Sequence, residues 1–94
     1  MTIEIKEQND KGFAIAKIEE KKAGLMTFNI PNDKFIIIDH TEVEEDYKGD
    51  GIGKKLLNKI VEMARAKHIK IYPLCPFANA MFKKNSDIRD VLKT

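Results

Sequence analysis

Tyr47-Lys48-Gly49-Asp50-Gly51-Ile52-Gly53-Lys54-Lys55 sets three glycines at alternate positions just ahead of the one long amphipathic pattern in this chain. Glycine lets the backbone come close to a ligand, and a helix N-terminus adds unpaired N–H groups and a positive dipole end. That is the chemistry of a phosphate cradle. Lys48, Lys54, Lys55 and Lys59 surround the turn, while Asp39, Glu42, Glu44, Glu45 and Asp46 precede it. Such a basic cluster is either a solvated helix face or the complement of a small polyanion. Two further side chains can act on bonds. Cys75 precedes Pro76 at the expected start of a helix, where the dipole favours a thiolate; it is otherwise a small core residue. His40 can carry protons near neutrality, or simply pack at a strand end. Glu42 is a second base candidate if the strand stays regular, because alternate residues then share a face. Tyr72 is a weaker general-acid candidate. His40, His68 and Cys75 lack the spacing of metal ligands.

These residues need elements to hold them. Ile3 and Ile5 alternate with polar neighbours and predict a short first strand. Asn9-Asp10-Lys11-Gly12 turns the chain into Phe13–Ile18, a second strand. Lys22-Ala23-Gly24 offers the next turn, into Leu25–Ile30, where Met26, Phe28 and Ile30 share a face. Pro31-Asn32-Asp33 breaks that strand. Lys34–Val43 reads as a fourth, and Phe35-Ile36-Ile37-Ile38 is apolar throughout, as expected when both faces are covered. From near Gly51, Ile52, Leu56, Ile60 and Ala64 recur at helical spacing, widened by Leu57, Val61 and Met63, to an end around Lys67-His68. Ile69–Tyr72 is a fifth strand, which makes a β-α-β crossover with a parallel partner. Pro76 starts a short helix with Phe77, Met81 and Phe82 as core residues. Ser86 N-caps a last turn carrying Ile88, Val91 and Leu92. The expected class is α/β with a mixed sheet, antiparallel strands first.

The chain has 94 residues, enough for one domain with a single modest core. Its 43% apolar and 34% charged content is that of a globular protein. No apolar run approaches the ~20 residues of a membrane span, and the N-terminus carries no signal-peptide pattern. A lone cysteine excludes an internal disulfide and suits a reducing compartment, so the cytoplasm is the expected location. A net charge of +2, without interleaved aromatic and basic residues, argues against a nucleic-acid partner.

Two familiar glycine motifs fail on spacing. A P-loop needs glycine where Lys48 stands and Ser or Thr where Lys55 stands. A dinucleotide fingerprint needs a glycine at Lys54 and an early crossover helix. Lys48-Gly49-Asp50-Gly51-Ile52-Gly53 instead resembles the R/Q-x-x-G-x-G/A loop of the GNAT N-acetyltransferase superfamily, which wraps the pyrophosphate of coenzyme A. His40-Thr41-Glu42-Val43 before it and Pro73-Leu74-Cys75-Pro76-Phe77 after the fifth strand resemble the paired signatures of a minimal GNAT-like subfamily. Members of about this length lack the helices that larger ones place between the first two strands. Lys48 departs from the usual Arg or Gln and loses a planar fork. His68 stands where glycine is common and accepts a left-handed cap less easily.

The resemblance implies a GNAT-like fold whose sheet splays between strands four and five to form a cofactor cleft. Thr41, Glu42 and Val43 would line it with backbone. Amides from Gly49, Asp50, Gly51, Ile52, Gly53 and Lys54 would bind the pyrophosphate of acetyl-CoA, with Lys48 and Lys54 or Lys55 adding charge. Cys75 would lie near the thioester, as a nucleophile forming an acetyl-cysteine or as a proton donor to departing coenzyme A. His40 would be the base for the thiol or for the incoming amine. The implied activity is acetyl-CoA-dependent N-acetyl transfer to an amine on a protein, peptide or small molecule. The rival is a non-catalytic coenzyme A-binding regulatory module. With few helices to wall an acceptor site, the chain is expected to act as a monomer on an exposed amine, or to complete its site by weak self-association.

Overall fold

The computed structural model describes residues 1–93. Strands β1 (Thr2–Gln8), β2 (Lys11–Ile18), β3 (Lys21–Asn29) and β4 (Phe35–Val43) form an antiparallel meander. Helix α1 (Ile52–Lys67) then crosses the sheet, and β5 (Lys70–Pro73) pairs with β4 in parallel, giving the order β1-β2-β3-β4-β5. Helix α2 (Pro76–Lys84) and a 3-10 segment, Ser86–Val91, follow. The chain finally returns to the outer edge of β5, where Lys93 N–H bonds the Ile71 carbonyl at 2.8 Å. The fold is mixed α/β, as the strand and helix periodicities predict.

Alternation decides which residues meet the helices. Ala14, Ala16, Met26, Phe28, Ile36, Ile38 and Ile71 turn to one face of the sheet. All are buried, together with Ile52, Leu56, Leu57, Ile60, Val61 and Ala64 of α1. Completely burying each of the larger side chains among them, from valine to phenylalanine, is worth about 1.5–3 kcal/mol, so this face supplies the main driving force. The other face carries Phe13, Ile15, Leu25 and Ile37, all half-buried, and Tyr72, 46% exposed. The apolar run at Phe35–Ile38 suggested cover on both faces. Helices pack on one.

The second hairpin turns earlier than expected. Glu19 and Glu20 take it, at φ 51° and 67°, and Lys22-Ala23-Gly24 belongs to β3. Gly24 is needed in the strand because α1 lies against it. A Cβ there would sit 2.7 Å from Ile52 Cγ2 and 3.2 Å from the Glu42 carbonyl oxygen. The position that read as a turn glycine is a contact glycine. At the other end of α1, His68 does take the left-handed cap, at φ 58°, with its N–H on the Arg65 and Ala64 carbonyls.

Candidate active site

The site begins where β4 and β5 part. Cys75 N–H bonds the Ile38 carbonyl at 2.9 Å, and beyond it, among the described residues, Asp39–Val43 has no strand on that side. Those residues give an open edge about 16 Å long at ~3.3 Å per residue. Glu44 N–H goes to the Ala23 carbonyl of β3 at 2.8 Å. Counting back in twos, the peptide groups of Val43 and Thr41 face the open edge.

A bulge reverses the side chains along that edge. The β3–β4 register passes from Phe28↔Ile38 to Thr27↔His40, leaving Asp39 as the extra residue. Even positions face the helices before the bulge, and odd ones after it. Thr41 and Val43 therefore point to the helix side, and His40 and Glu42 to the open face. His40 Nε2 lies 3.1 Å from Glu42 Oε2, and Lys22 Nζ donates to Glu42 Oε1 at 2.8 Å. The Lys22 hydrogen bond, and then that from His40, hold the Glu42 carboxyl below its ordinary range. Lys22 is raised in turn, chiefly by the same bond to Glu42. Glu42 is thus a poor proton acceptor and a good anchor for the imidazole.

Cys75 is 4% exposed on the helix side, where its sulfur lies 3.2 Å from Thr41 Oγ1. The strand separates it from His40, so the expected Cys75–His40 pairing is replaced by Cys75–Thr41. Cys75 also caps α2, its carbonyl accepting from Asn79 N–H at 2.9 Å ahead of Pro76 at the first helical position.

The glycine turn lies at the far end of the edge. Gly49 and Gly51 have φ of 92° and 74°, which glycine adopts without strain, and a Cβ on either would meet no atom within 4 Å. Asp50 N–H is tied to the Tyr47 carbonyl, and the first α1 bond is Lys55 N–H to Gly51. Among the described residues, the N–H groups of Gly49, Gly51, Ile52, Gly53 and Lys54 have no partner. They surround a cavity of about 480 Å³ also lined by Thr41, Val43, Tyr47, Lys48, Phe77 and Met81. Unpaired amides at a helix N-terminus, with Lys54 beside them, fit a pyrophosphate. Lys48 also lines the cavity, while its ammonium is 2.9 Å from Glu45.

Gly53 works differently from its two neighbours. A Cβ there would lie 2.7 Å from the Phe77 ring, so this glycine seats the aromatic wall of the cavity. Glu42, Asp50 and Lys55, named from the sequence, do not line it. Tyr47, Phe77 and Met81 do, and Phe77 and Met81 had read as core. Phe77 is 38% exposed and Met81 half-buried. Pro76, directly after Cys75, gave the only hint that α2 starts close enough to serve as a wall.

The family model for GCN5-related N-acetyl-transferases matches residues 12–91. This chain belongs to that family. It is 37% identical to a GCN5-like protein from Staphylococcus aureus whose solution structure covers 96% of this chain and 87% of its own, at a TM-score of 0.71. A GNAT family acetyltransferase from Elizabethkingia anophelis, crystallised with acetyl-CoA, is 22% identical over 68% of this chain, with a TM-score of 0.61. This chain spans 42% of that protein, and 62% of a ribosomal-protein-alanine N-acetyltransferase from Brucella melitensis that is 17% identical over 82% of this chain (TM-score 0.70). Those two share the fold. No curated protein matches the sequence. Family membership makes the chain an acyltransferase of the acetyl-CoA-using class.

Proposed function

We propose that the chain acts as one acetyltransferase domain that moves an acetyl group directly from acetyl-CoA to an amine, with His40 as the base. The observation that carries this reading is the set of unpaired amides of Gly49 and Gly51–Lys54 at one end of an open strand edge that closes at Cys75. Pyrophosphate on those amides leaves the pantetheine arm to follow Thr41 and Val43 toward the closed end. Bound there, acetyl-CoA supplies a thioester carbonyl that an amine attacks, expelling the coenzyme A thiol. Backbone N–H groups of the edge stabilise the oxyanion. The helix face is filled by α1 and α2, so the amine arrives from the open face. There the His40 ring, oriented by Glu42, accepts its proton. Cys75 on the helix side is suited to protonate the departing sulfur, with Thr41 Oγ1 as its partner. The separation of His40 from Cys75 favours direct transfer over an acetyl-cysteine.

Three measurements test the reading in order. Acetyl-CoA is expected to shift the amide resonances of Gly49–Lys54; no change there refutes the donor site. Amine-dependent release of coenzyme A is expected across a panel of amines, and its absence with donor bound leaves a binding module. Intact mass after incubation with acetyl-CoA alone is expected to show no adduct. A 42-dalton gain (one acetyl for one hydrogen, about 42 Da by arithmetic) that disappears in Cys75→Ala would replace direct transfer by the covalent route.

A further inference from the structure

The open face of the sheet holds a second cavity, of about 700 Å³, between the β1–β2 turn and the β4 bulge; Asp10, Lys11, Phe13, Thr27, Asn29 and Asp39 are among its lining residues, and among the described residues the Lys11 ammonium pairs with neither carboxylate. Asp39 is the unpaired bulge residue itself, next to His40 and to the point where the strands part. The Thr27 hydroxyl donates to its Oδ1, and Asn29 Nδ2 donates to Oδ2 at 2.9 Å. Both donors are neutral. Elsewhere on this face Glu42 is paired with Lys22, and Glu4 lies 3.9 Å from Lys6. Among the described residues, Asp39 has no cationic partner within salt-bridge range. Phe13, Thr27 and His40 stand in register across β2, β3 and β4. An apolar ring and a fixed carboxylate therefore line the cavity, and the proposed base stands beside it on the same face, next to Asp39 and across from Thr27.

We propose that this cavity is the acceptor site and that it selects amines carrying a second cationic group. The inference rests on the acetyl-transfer reading of the cleft. The reacting amine, unprotonated, stands at His40; an ammonium further along the same molecule binds the Asp39 carboxylate, and the methylenes between them lie against Phe13. A carboxylate already held by two hydrogen bonds needs little ordering when the cation arrives. A monoamine lacks that contact, and an amino acid of the same length brings a carboxylate against Asp39. The acceptor class is thus a short alkyl diamine or a larger amine with equivalent charge spacing.

The test compares 1,4-diaminobutane, n-butylamine and 4-aminobutanoate as acceptors with acetyl-CoA and the whole chain. Wild-type kcat/KM is expected to be about tenfold higher for the diamine than for butylamine, and lowest for 4-aminobutanoate. Asp39→Asn is expected to shrink the diamine preference at least fivefold, and Asp39→Lys to move the preference toward 4-aminobutanoate. Equal rates for diamine and monoamine in the wild type, or a preference unchanged in Asp39→Asn, overturn the inference. The site is also read without turnover. Diaminobutane is expected to shift the amides of Phe13, Thr27 and Asn29 in the acetyl-CoA-bound protein, and to do so less in Asp39→Asn. No shift there overturns the acceptor site, whereas silence of Gly49–Lys54 toward acetyl-CoA would count against the donor reading instead.

Discussion

Gly51→Ala separates the backbone role of the cradle from its role as space for a ligand. Gly51 sits at φ 74° and ψ 23°, a left-handed conformation at the N-cap of α1. An L-residue there costs roughly 1–2 kcal/mol, and alanine recovers part of it by stiffening the unfolded chain. No packing term adds to this, because the new methyl meets no atom within 4 Å. The net loss is about 1 kcal/mol, which for a domain of this size lowers Tm by about 4–8 °C. Binding should suffer more. Gly51 lines the cavity, so the methyl occupies space that a phosphate at the α1 N-terminus would use, and losing one hydrogen bond to a charged phosphate costs about 1.5–3 kcal/mol, or about 10- to 100-fold in affinity. Gly51→Asn completes the test, since asparagine tolerates the left-handed region but fills the same space. Circular dichroism melts and calorimetric titration with coenzyme A give both readouts. The expected pattern is a melting temperature restored toward wild type in Gly51→Asn with affinity still reduced. Wild-type affinity in Gly51→Asn would refute the cradle. A stability loss above about 3 kcal/mol in Gly51→Ala would refute the claim that nothing packs there.

Gly24→Ala is expected to destabilise by about 1–3 kcal/mol through overpacking against Ile52 and to shift the Ile52–Lys54 amides, measured by urea denaturation and NMR. Phe82→Ala, at a fully buried ring of α2, is expected to cost about 3–5 kcal/mol in the same denaturation assay. Arg65 binds Asp90 through Nε at 2.9 Å and Nη2 at 2.8 Å, and also holds the Asp87 carbonyl, which latches the 3-10 segment onto α1. The Arg65 hydrogen bond lowers the Asp90 pKa from its ordinary 3.8. A depressed carboxyl contributes stability above its unfolded value and loses it as pH falls through its folded value. The latch is therefore expected to hold down to about pH 4 and to loosen below it. Hydrogen exchange at the Lys93 amide reads this out, and Asp90→Asn should exchange faster already at pH 6.

Much of the fold was legible because it rests on period. The 3.6-residue stripe from Ile52 to Ala64 had to bury one helix face, and β-α-β connectivity made the following strand parallel to β4. The alternate glycines marked a helix N-terminus with open amides, and their spacing alone excluded the P-loop and dinucleotide readings. Side-chain direction at β4 was not legible. One extra residue in pairing with β3 inverts every later position, and a bulge depends on the partner strand as much as on the strand that carries it. His40 and Cys75, expected from the sequence to face each other across a cleft, thus lie on opposite faces of β4. The roles of individual glycines were hidden for a similar reason. Gly24 and Gly53 make room for Ile52 and Phe77, residues distant in the chain, while Gly49 and Gly51 serve the turn itself.

The sequence by itself determined that a positively ended helix would follow a flexible glycine turn, since propensity, dipole and φ freedom are local properties. Only the tertiary structure decided what that turn faces, because a cleft is made by two strands that stop pairing and by α2 closing against them. It also decided that the amine side and the sulfur side of the site are separate. That separation comes from the Asp39 bulge, which sends His40 to one face of β4 and Thr41, with Cys75, to the other.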